Sequence, residues 1–399
     1  MVVSQTFPPL IGGTPILLTN LLRSYPGKVV AAAGYSHDSR EDSSFQPPCE
    51  TFYLRPPRVR LFERAYNRLI SRASALVYQW IKCQAKKIKP DVILSASPGV
   101  HFFISAFRVA QDLGIPFYAH MHDLWQENYR LNDHLKRGIL TARWEKTIFT
   151  HSQRVLCITE HQQDFYFKKY GIATDLLPHT VPPQDLSAAP SQMVASSCAK
   201  KTILFTGNLY PNMNLDSLRV LAQASEFLPA DCELLFCTNA TPAELSSLGI
   251  VSSRLRIAWL PREELRALQS SAHILVAPLS HKNASEHEVR TVFSTKLLEY
   301  MIAGRPILLF APADSFHAYS ARRGRWAHVV DQDDPKALAA GIRQLLDSEE
   351  LAKEVVRGAL AEAHRRDARI HARRLYEWVK DDSEKARAQP NLLESRRLA

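Results

Sequence analysis

Two kinds of apolar spacing alternate along this chain. Short runs of consecutive or alternating apolar residues recur as VVSQ, KVVAAAG, DVILSASP, IPFYAHMHDLW and RVLCITE in the first half, and as TILFTGN, ELLFCTN, LRIAWL, HILVAPL, PILLF and HVVDQ in the second. Between them lie segments with apolar residues at helical spacing, such as PILLTNLLRSY and PKALAAGIRQLLDS. Strand-like and helix-like segments in strict turn predict α/β architecture with parallel sheets. A helix is expected from about Val59 to Lys87, another up to about Gly114, and a polar, Pro-rich loop from Asp38 to Pro57. The stretch QDLSAAPSQMVASSCAKK lacks periodicity and reads as a linker. The expected organisation is therefore a first domain over 1–184, a linker over 185–200 and a second domain over 201–365. A C-terminal helix is expected over 366–380, and a charged tail with Pro390, over 381–399, reads as disordered.

Composition narrows the class. With 399 residues, 46% apolar and 23% charged, the chain suits a two-domain globular protein. No apolar run approaches the roughly 20 residues of a membrane span, and the start, MVVSQTFPPL, lacks the pattern of a signal peptide. Six scattered cysteines with no C-x-x-C point to a reducing cytoplasmic setting rather than a disulfide or zinc frame. The net charge of +10 is concentrated between Leu54 and Pro90, where ten Lys and Arg stand against Glu63. Arg60, Arg64, Arg68 and Arg72 recur every four residues, which puts them on one helical face with almost no acidic partner. Such a stripe suits an anionic membrane surface. A nucleic-acid partner is not expected, because no aromatic stacking pattern accompanies the charge.

The most informative stretch is Arg290 to Leu309, RTVFSTKLLEYMIAGRPILL. Ser294 and Thr295 suit a helix N-cap, and Leu297, Leu298, Met301 and Ile302 form an apolar stripe. Gly304 and Pro306 stop the helix before a buried strand, Ile307 to Phe310. Lys296 lies in the first turn and Glu299 about one turn later. Both could reach a ligand at the helix start, Lys296 towards phosphate and Glu299 towards a pair of vicinal hydroxyls. In the first half, Gly12 and Gly13 precede a helix, and His120, His122 and Asp123 stand where a buried strand ends. Carboxyl ends of strands are where open α/β sheets bind ligands. His122 and Asp123 are favoured over His120, being later along the strand.

STKLLEYMIAGRPIL resembles the nucleotide-sugar motif of glycosyltransferase family 4, whose members are retaining enzymes of the GT-B fold. The resemblance implies two Rossmann-like parallel-sheet domains facing a central cleft. It implies a nucleotide-sugar donor, UDP- or GDP-linked, as substrate, with no cofactor and no metal. It assigns donor binding to Gly12, Gly13, Gly207, Asn208, Ser294, Thr295 and Glu299, and catalysis to His122, Asp123, Arg290 and Lys296. HDLW is similar to the family segment that meets the sugar and the acceptor. Two positions depart from the family pattern. Thr291 replaces the first of two glutamates, with Glu286 or Glu288 nearby; Asn208 and Met213 replace an Arg and a Lys, leaving Arg290, Lys296 or Lys282 to meet the diphosphate.

The expected function is transfer of a sugar, with retention, to a glycan or lipid-linked acceptor in bacterial cell-surface polysaccharide synthesis. The protein would be cytoplasmic or peripheral on the inner face of the plasma membrane. The missing Arg/Lys pair also fits a catalytically weakened partner of an active transferase, and the same fold serves sugar-nucleotide epimerases. The residues STKLLEYMIAGRP favour transfer.

Overall fold

The computed structural model describes all residues except 36–40, 43, 56–73, 98, 132–134, 195–199, 284–285 and 389–399. Arg60, Arg64, Arg68 and Arg72 lie outside the described residues. The chain divides into two compact units, Met1–Pro182 with Ala368–Ala399, and Pro183–Asp367.

The first unit is built on seven strands: β1 (Val2–Ser4), β2 (Val30–Gly34), β3 (Glu50–Leu54), β4 (Ile93–Ala96), β5 (Phe117–Met121), β6 (Arg154–Cys157) and β7 (Asp175–Leu176). Their order is β3-β2-β1-β4-β5-β6-β7, and all the pairings are parallel. The central strands are buried on both faces, which is why they read as continuous apolar runs. One face of the sheet packs against helices Ser74–Ile88 and Val100–Leu113 through Val77, Ile81, Phe103 and Phe107. Helix Gly13–Leu22 covers the other, with Leu18 and Leu21 beside Ala372 and Leu375 of the final helix.

β3 corrects the expected loop over Asp38–Pro57. Glu50–Leu54 pairs with β2 from Val30↔Glu50 to Gly34↔Leu54. As an edge strand it is only partly buried, so its apolar signal is weak. The expectation for the tail over 381–399 is corrected as far as Ala388, while 389–399 lie outside the described residues. Helix Ala368–Ala388 continues past Asp381, with Asp382 and Ser383 buried. Tyr118 donates to Asp382 at 2.6 Å and Arg154 Nε does so at 2.7 Å. A polar segment therefore stays helical because its charge has a buried partner far away in sequence.

The second unit holds β8 (Lys201–Thr206), β9 (Cys232–Cys237), β10 (Leu255–Ala258), β11 (Ile274–Pro278), β12 (Ile307–Phe310) and β13 (His328–Val330), in the order β10-β9-β8-β11-β12-β13, again parallel. A helix, Pro183–Ala188, occupies the start of the stretch read as a linker. Asp334 caps helix Pro335–Asp347 by accepting from the Ala337 amide at 2.8 Å. Each sheet reverses strand order beside its first strand, between β1 and β4 and between β8 and β11. In doubly wound folds ligands collect outside the carboxyl ends of the strands at such a switch point. The described cysteines Cys49, Cys83, Cys157, Cys232 and Cys237 are free. Among the described residues no helix is long and apolar enough to cross a membrane.

Candidate active site

In the second unit the site is assembled around Lys296, the first residue of helix Lys296–Met301. β8 is followed by Gly207, whose φ of +130° is disfavoured for residues with a side chain. A Cβ there would stand 2.9 Å from the Lys296 ammonium, so the glycine leaves the space this cation occupies. The ammonium also lies 4.4 Å from the centroid of the Phe205 ring, a cation–π contact. Burial pushes the Lys296 pKa down to about 8, with nearby Glu299 opposing the shift.

A six-residue helix is marginal by itself, and this one is pinned from outside. The Thr206 amide and hydroxyl both donate to the buried Tyr300 hydroxyl, at 2.9 and 3.0 Å. Glu299 is half-buried and accepts from Gln269 Nε2 at 3.4 Å, and the same nitrogen approaches Thr206 Oγ1 at 3.4 Å. The expected cap is corrected. Thr295 adopts helical dihedrals and makes no side-chain cap hydrogen bond. Instead the Ser294 amide donates to His317 Nε2 at 3.0 Å. With so short a helix, the cationic side chain is a firmer basis for phosphate binding than the helix start.

The other expected residues of this unit are placed less closely. Arg290 pairs with Asp314 at 2.8 Å, both well exposed at 41% and 55%. Asn208 is exposed; its side-chain amide donates to the Tyr210 hydroxyl at 3.4 Å, and its carbonyl accepts from Asn214 at 3.1 Å. Lys282 and Glu286 are exposed, whereas Glu288 is buried in helix His287–Thr291. Arg290 lies on the same helix.

In the first unit, helix Gly13–Leu22 and the end of β5 are linked by side chains. His122 Nδ1 lies 3.3 Å from Thr14 Oγ1, and its Nε2 lies 3.3 Å from His120 Nδ1. The His122 amide donates to Ser97 Oγ at 3.0 Å, and the His179 ring stands 5.8 Å away, edge to face. Burial, followed by the neighbouring imidazoles, drives the His122 pKa well below its usual value, and burial takes His120 down to about 4. At neutral pH both rings are uncharged, so His122 can hydrogen-bond to a hydroxyl but does not supply positive charge. Asp123 is half-buried in the bend after β5. Gly12 and Gly13 have ordinary or open space where a Cβ would stand, so packing within the protein does not demand glycine there.

Phe205, Gln269, Tyr300 and His317 were not singled out from the sequence. Gln269 and His317 reach the site from helices Arg262–Ser271 and Phe316–Gly324, whose sequences carry no sign of it. Phe205 is one apolar residue of a strand; only the fold shows that its ring faces Lys296.

Comparison with known proteins now decides the family. The family described as Glycosyltransferase Family 4 matches residues 11–184, and Glycosyl transferases group 1 matches residues 200–348. The chain belongs to the family 4-like glycosyltransferases. No curated protein matches the sequence. Among solved structures, Anabaena HepE in complex with UDP is similar over 95% of this chain and 99% of its own, at 14% identity and a TM-score of 0.62. Sucrose-phosphate synthase from Thermosynechococcus elongatus covers 95% and 98%, at 15% identity and a TM-score of 0.65. A UDP-forming α,α-trehalose-phosphate synthase from Burkholderia vietnamiensis covers 95% and 99%, at 12% identity and a TM-score of 0.61. At such identities the likeness is one of fold, and this glycosyltransferase has the GT-B architecture of two parallel-sheet α/β domains.

Proposed function

We propose that this glycosyltransferase moves a sugar from a UDP- or GDP-linked donor to a glycan or lipid-linked acceptor, with retention of configuration, in cell-surface polysaccharide assembly. The observation that carries the reading is the partly buried Lys296 ammonium, packed over Phe205 and against Gly207, with Glu299 on the next turn. A cation held where water is scarce stabilises charge far better than one in solvent. In the reaction, the bond between the sugar's anomeric carbon and the diphosphate breaks, and the acceptor oxygen bonds to the same face. The acceptor proton passes to the departing phosphate oxygen. Lys296 meets the charge growing on that oxygen, and Glu299 accepts from the donor ribose. His122 and Asp123 act on the sugar and acceptor hydroxyls, while the backbone at Gly12, Gly13, Gly207, Asn208, Ser294 and Thr295 approaches the donor. Arg290 adds a second cation if it exchanges Asp314 for the diphosphate.

Uridine is the favoured base, since Anabaena HepE is described in complex with UDP and the trehalose-phosphate synthase as UDP-forming. Charge compensation is assigned to Lys296, the cation packed over Phe205. Glu299→Gln is expected to weaken UDP-glucose or GDP-mannose binding about ten-fold while preserving the fold, the size of one charge-assisted hydrogen bond. Calorimetric titration checks this, and unchanged affinity rules out the ribose role.

The setting proposed is the cytoplasmic face of the plasma membrane, reached through Arg60, Arg64, Arg68 and Arg72. The described helix that follows, Ser74–Ile88, adds exposed Lys86 and Lys87. Each basic residue near an anionic leaflet contributes roughly 1 kcal/mol and is screened within a Debye length of about 8 Å. Four give weak, reversible attachment suited to a lipid-held acceptor. The protein should therefore sediment with vesicles containing anionic lipid at low salt, and not at high salt. Sedimentation unaffected by changing the four arginines to glutamine refutes the dock.

A further inference from the structure

His317 is buried on helix Phe316–Gly324, which Ser315 opens by accepting from the Ala318 amide at 3.2 Å and donating to the Pro312 carbonyl at 2.7 Å. Its ring lies 5.6 Å from that of Phe293, and its Nε2 accepts the Ser294 N–H at 3.0 Å. A ring nitrogen that accepts carries no hydrogen, so the neutral imidazole holds its proton on Nδ1. That Nδ1 is buried without a hydrogen-bond partner among the described residues. The charge state is set by the surroundings. Burial, then the charges of Lys296 and Arg366, push the His317 pKa down to about 3. Arg366 lies 4.0 Å over the Phe293 ring. A protonated ring would turn a donor towards the Ser294 N–H and lose the bond.

The Ser294 peptide is where the Lys296 helix begins. Its carbonyl accepts from the Leu297 amide at 3.1 Å, and the Thr295 carbonyl accepts from Leu298 at 3.2 Å. Thr295, at the cap position, makes no side-chain cap hydrogen bond. Tyr300 holds the far end of the helix to β8, so the near end needs its own anchor. The space for the ammonium is also tight, since a Cβ on Gly207 would come within 2.9 Å of it. A tilt of the first turn would therefore move the ammonium off the Phe205 ring.

We propose that His317 is a positioning residue for the donor site: by accepting the Ser294 amide hydrogen it fixes the start of the Lys296 helix, and so the placement of Lys296 and Glu299. Its effect on catalysis rests on the donor-binding role of Lys296 proposed above, but its effect on Lys296 itself does not. His317 touches neither reacting atoms nor, on this reading, the donor.

The test compares His317→Leu, which removes the acceptor, with His317→Gln, whose side-chain carbonyl can take the place of Nε2. Two readouts need no donor. Acetic anhydride labelling of Lys296 against pH, followed by mass spectrometry, reports where its ammonium sits; hydrogen exchange reports the Ser294 amide. In His317→Leu the Ser294 amide should exchange about ten-fold faster, as for one lost hydrogen bond. The labelling midpoint of Lys296 should move up from about 8 by about one unit, as desolvation is relieved. In His317→Gln both should stay at the wild-type values, and UDP-glucose affinity should be kept where Leu loses it about ten-fold. A Lys296 profile identical in folded wild type and His317→Leu overturns the proposal. So does a His317→Gln protein that folds but does not restore the wild-type profile, which also decides the matter if the Leu variant fails to fold. A wild-type protein that binds neither UDP-glucose nor GDP-mannose refutes the donor reading instead, and leaves the Lys296 comparison to decide on His317.

Discussion

Lys296→Met should cost two to three orders of magnitude in transfer rate and at the same time raise the melting temperature at pH 7. The loss follows if the ammonium meets charge on the leaving phosphate; removing one such preorganised group costs about 3–4 kcal/mol of transition-state stabilisation. The gain follows from where the ammonium sits. Its pKa is pushed down to about 8 from the ordinary 10.5 by burial, which at about 1.4 kcal/mol per unit places roughly 3 kcal/mol of strain on the charged folded state. Between pH 8 and 10.5 the unfolded chain holds this proton and the folded chain does not, so wild-type stability rises with pH across that window. Below about pH 8 the penalty is present in full. Methionine removes it and keeps an unbranched side chain whose sulfur packs well against the Phe205 ring. The variant should therefore melt higher than wild type at pH 7, with the gap closing as pH approaches 10.5. Calorimetric scans at pH 7 and pH 10, beside an assay of sugar transfer, check both parts. A variant that melts lower at pH 7 contradicts the strained-cation account, and one that keeps full rate contradicts the catalytic role.

The second large effect is structural. Asp382→Ala should destabilise the first unit by about 3–5 kcal/mol, the cost of breaking a buried ion pair from one side. The Asp382 side chain is 1% exposed and receives Arg154 Nε at 2.7 Å. It also receives the Tyr118 hydroxyl at 2.6 Å. Arg154 keeps Asp175 at 2.9 Å and lies over Trp378, 5.0 Å from its ring. Alanine would leave the partly buried guanidinium with Asp175 alone and the buried phenol without its acceptor. Asp382→Asn, which retains an acceptor but not the charge, should cost less. Urea unfolding followed by far-ultraviolet circular dichroism reads the shift, and hydrogen exchange locates it in helix Ala368–Ala388. A change below about 1 kcal/mol, the size of a surface pair, would show that the apolar contacts of Ala372 and Leu375 hold the helix without this network.

The contrast between these two residues shows what the chain discloses locally. Lys296 could be read because its neighbours announce it: an apolar stripe, then Gly304 and Pro306, all within a dozen residues. Asp382 could not, because what gives it meaning is Tyr118 and Arg154, more than two hundred residues away. A charged segment ahead of Pro390 has the composition of a disordered tail until Arg154 is placed opposite its buried Asp382.

By itself the sequence determined the α/β class, through apolar runs short enough for strands buried on both faces and helical spacing between them. It also determined the turn that carries Lys296 and Glu299, and the strand end that carries His122. Tertiary structure decided the rest. It set the strand orders, and it made Glu50–Leu54 a strand because pairing with β2 supplies hydrogen bonds that a half-exposed edge sequence does not advertise. It placed Arg290 on Asp314 at the surface and Lys296 over Phe205. It tied the Ser294 amide, just ahead of that helix, to His317 and brought Gln269 to Glu299. Periodicity records which face of an element is buried. It does not record which side chain, from another element, will supply the hydrogen bond or the charge that the buried face then requires.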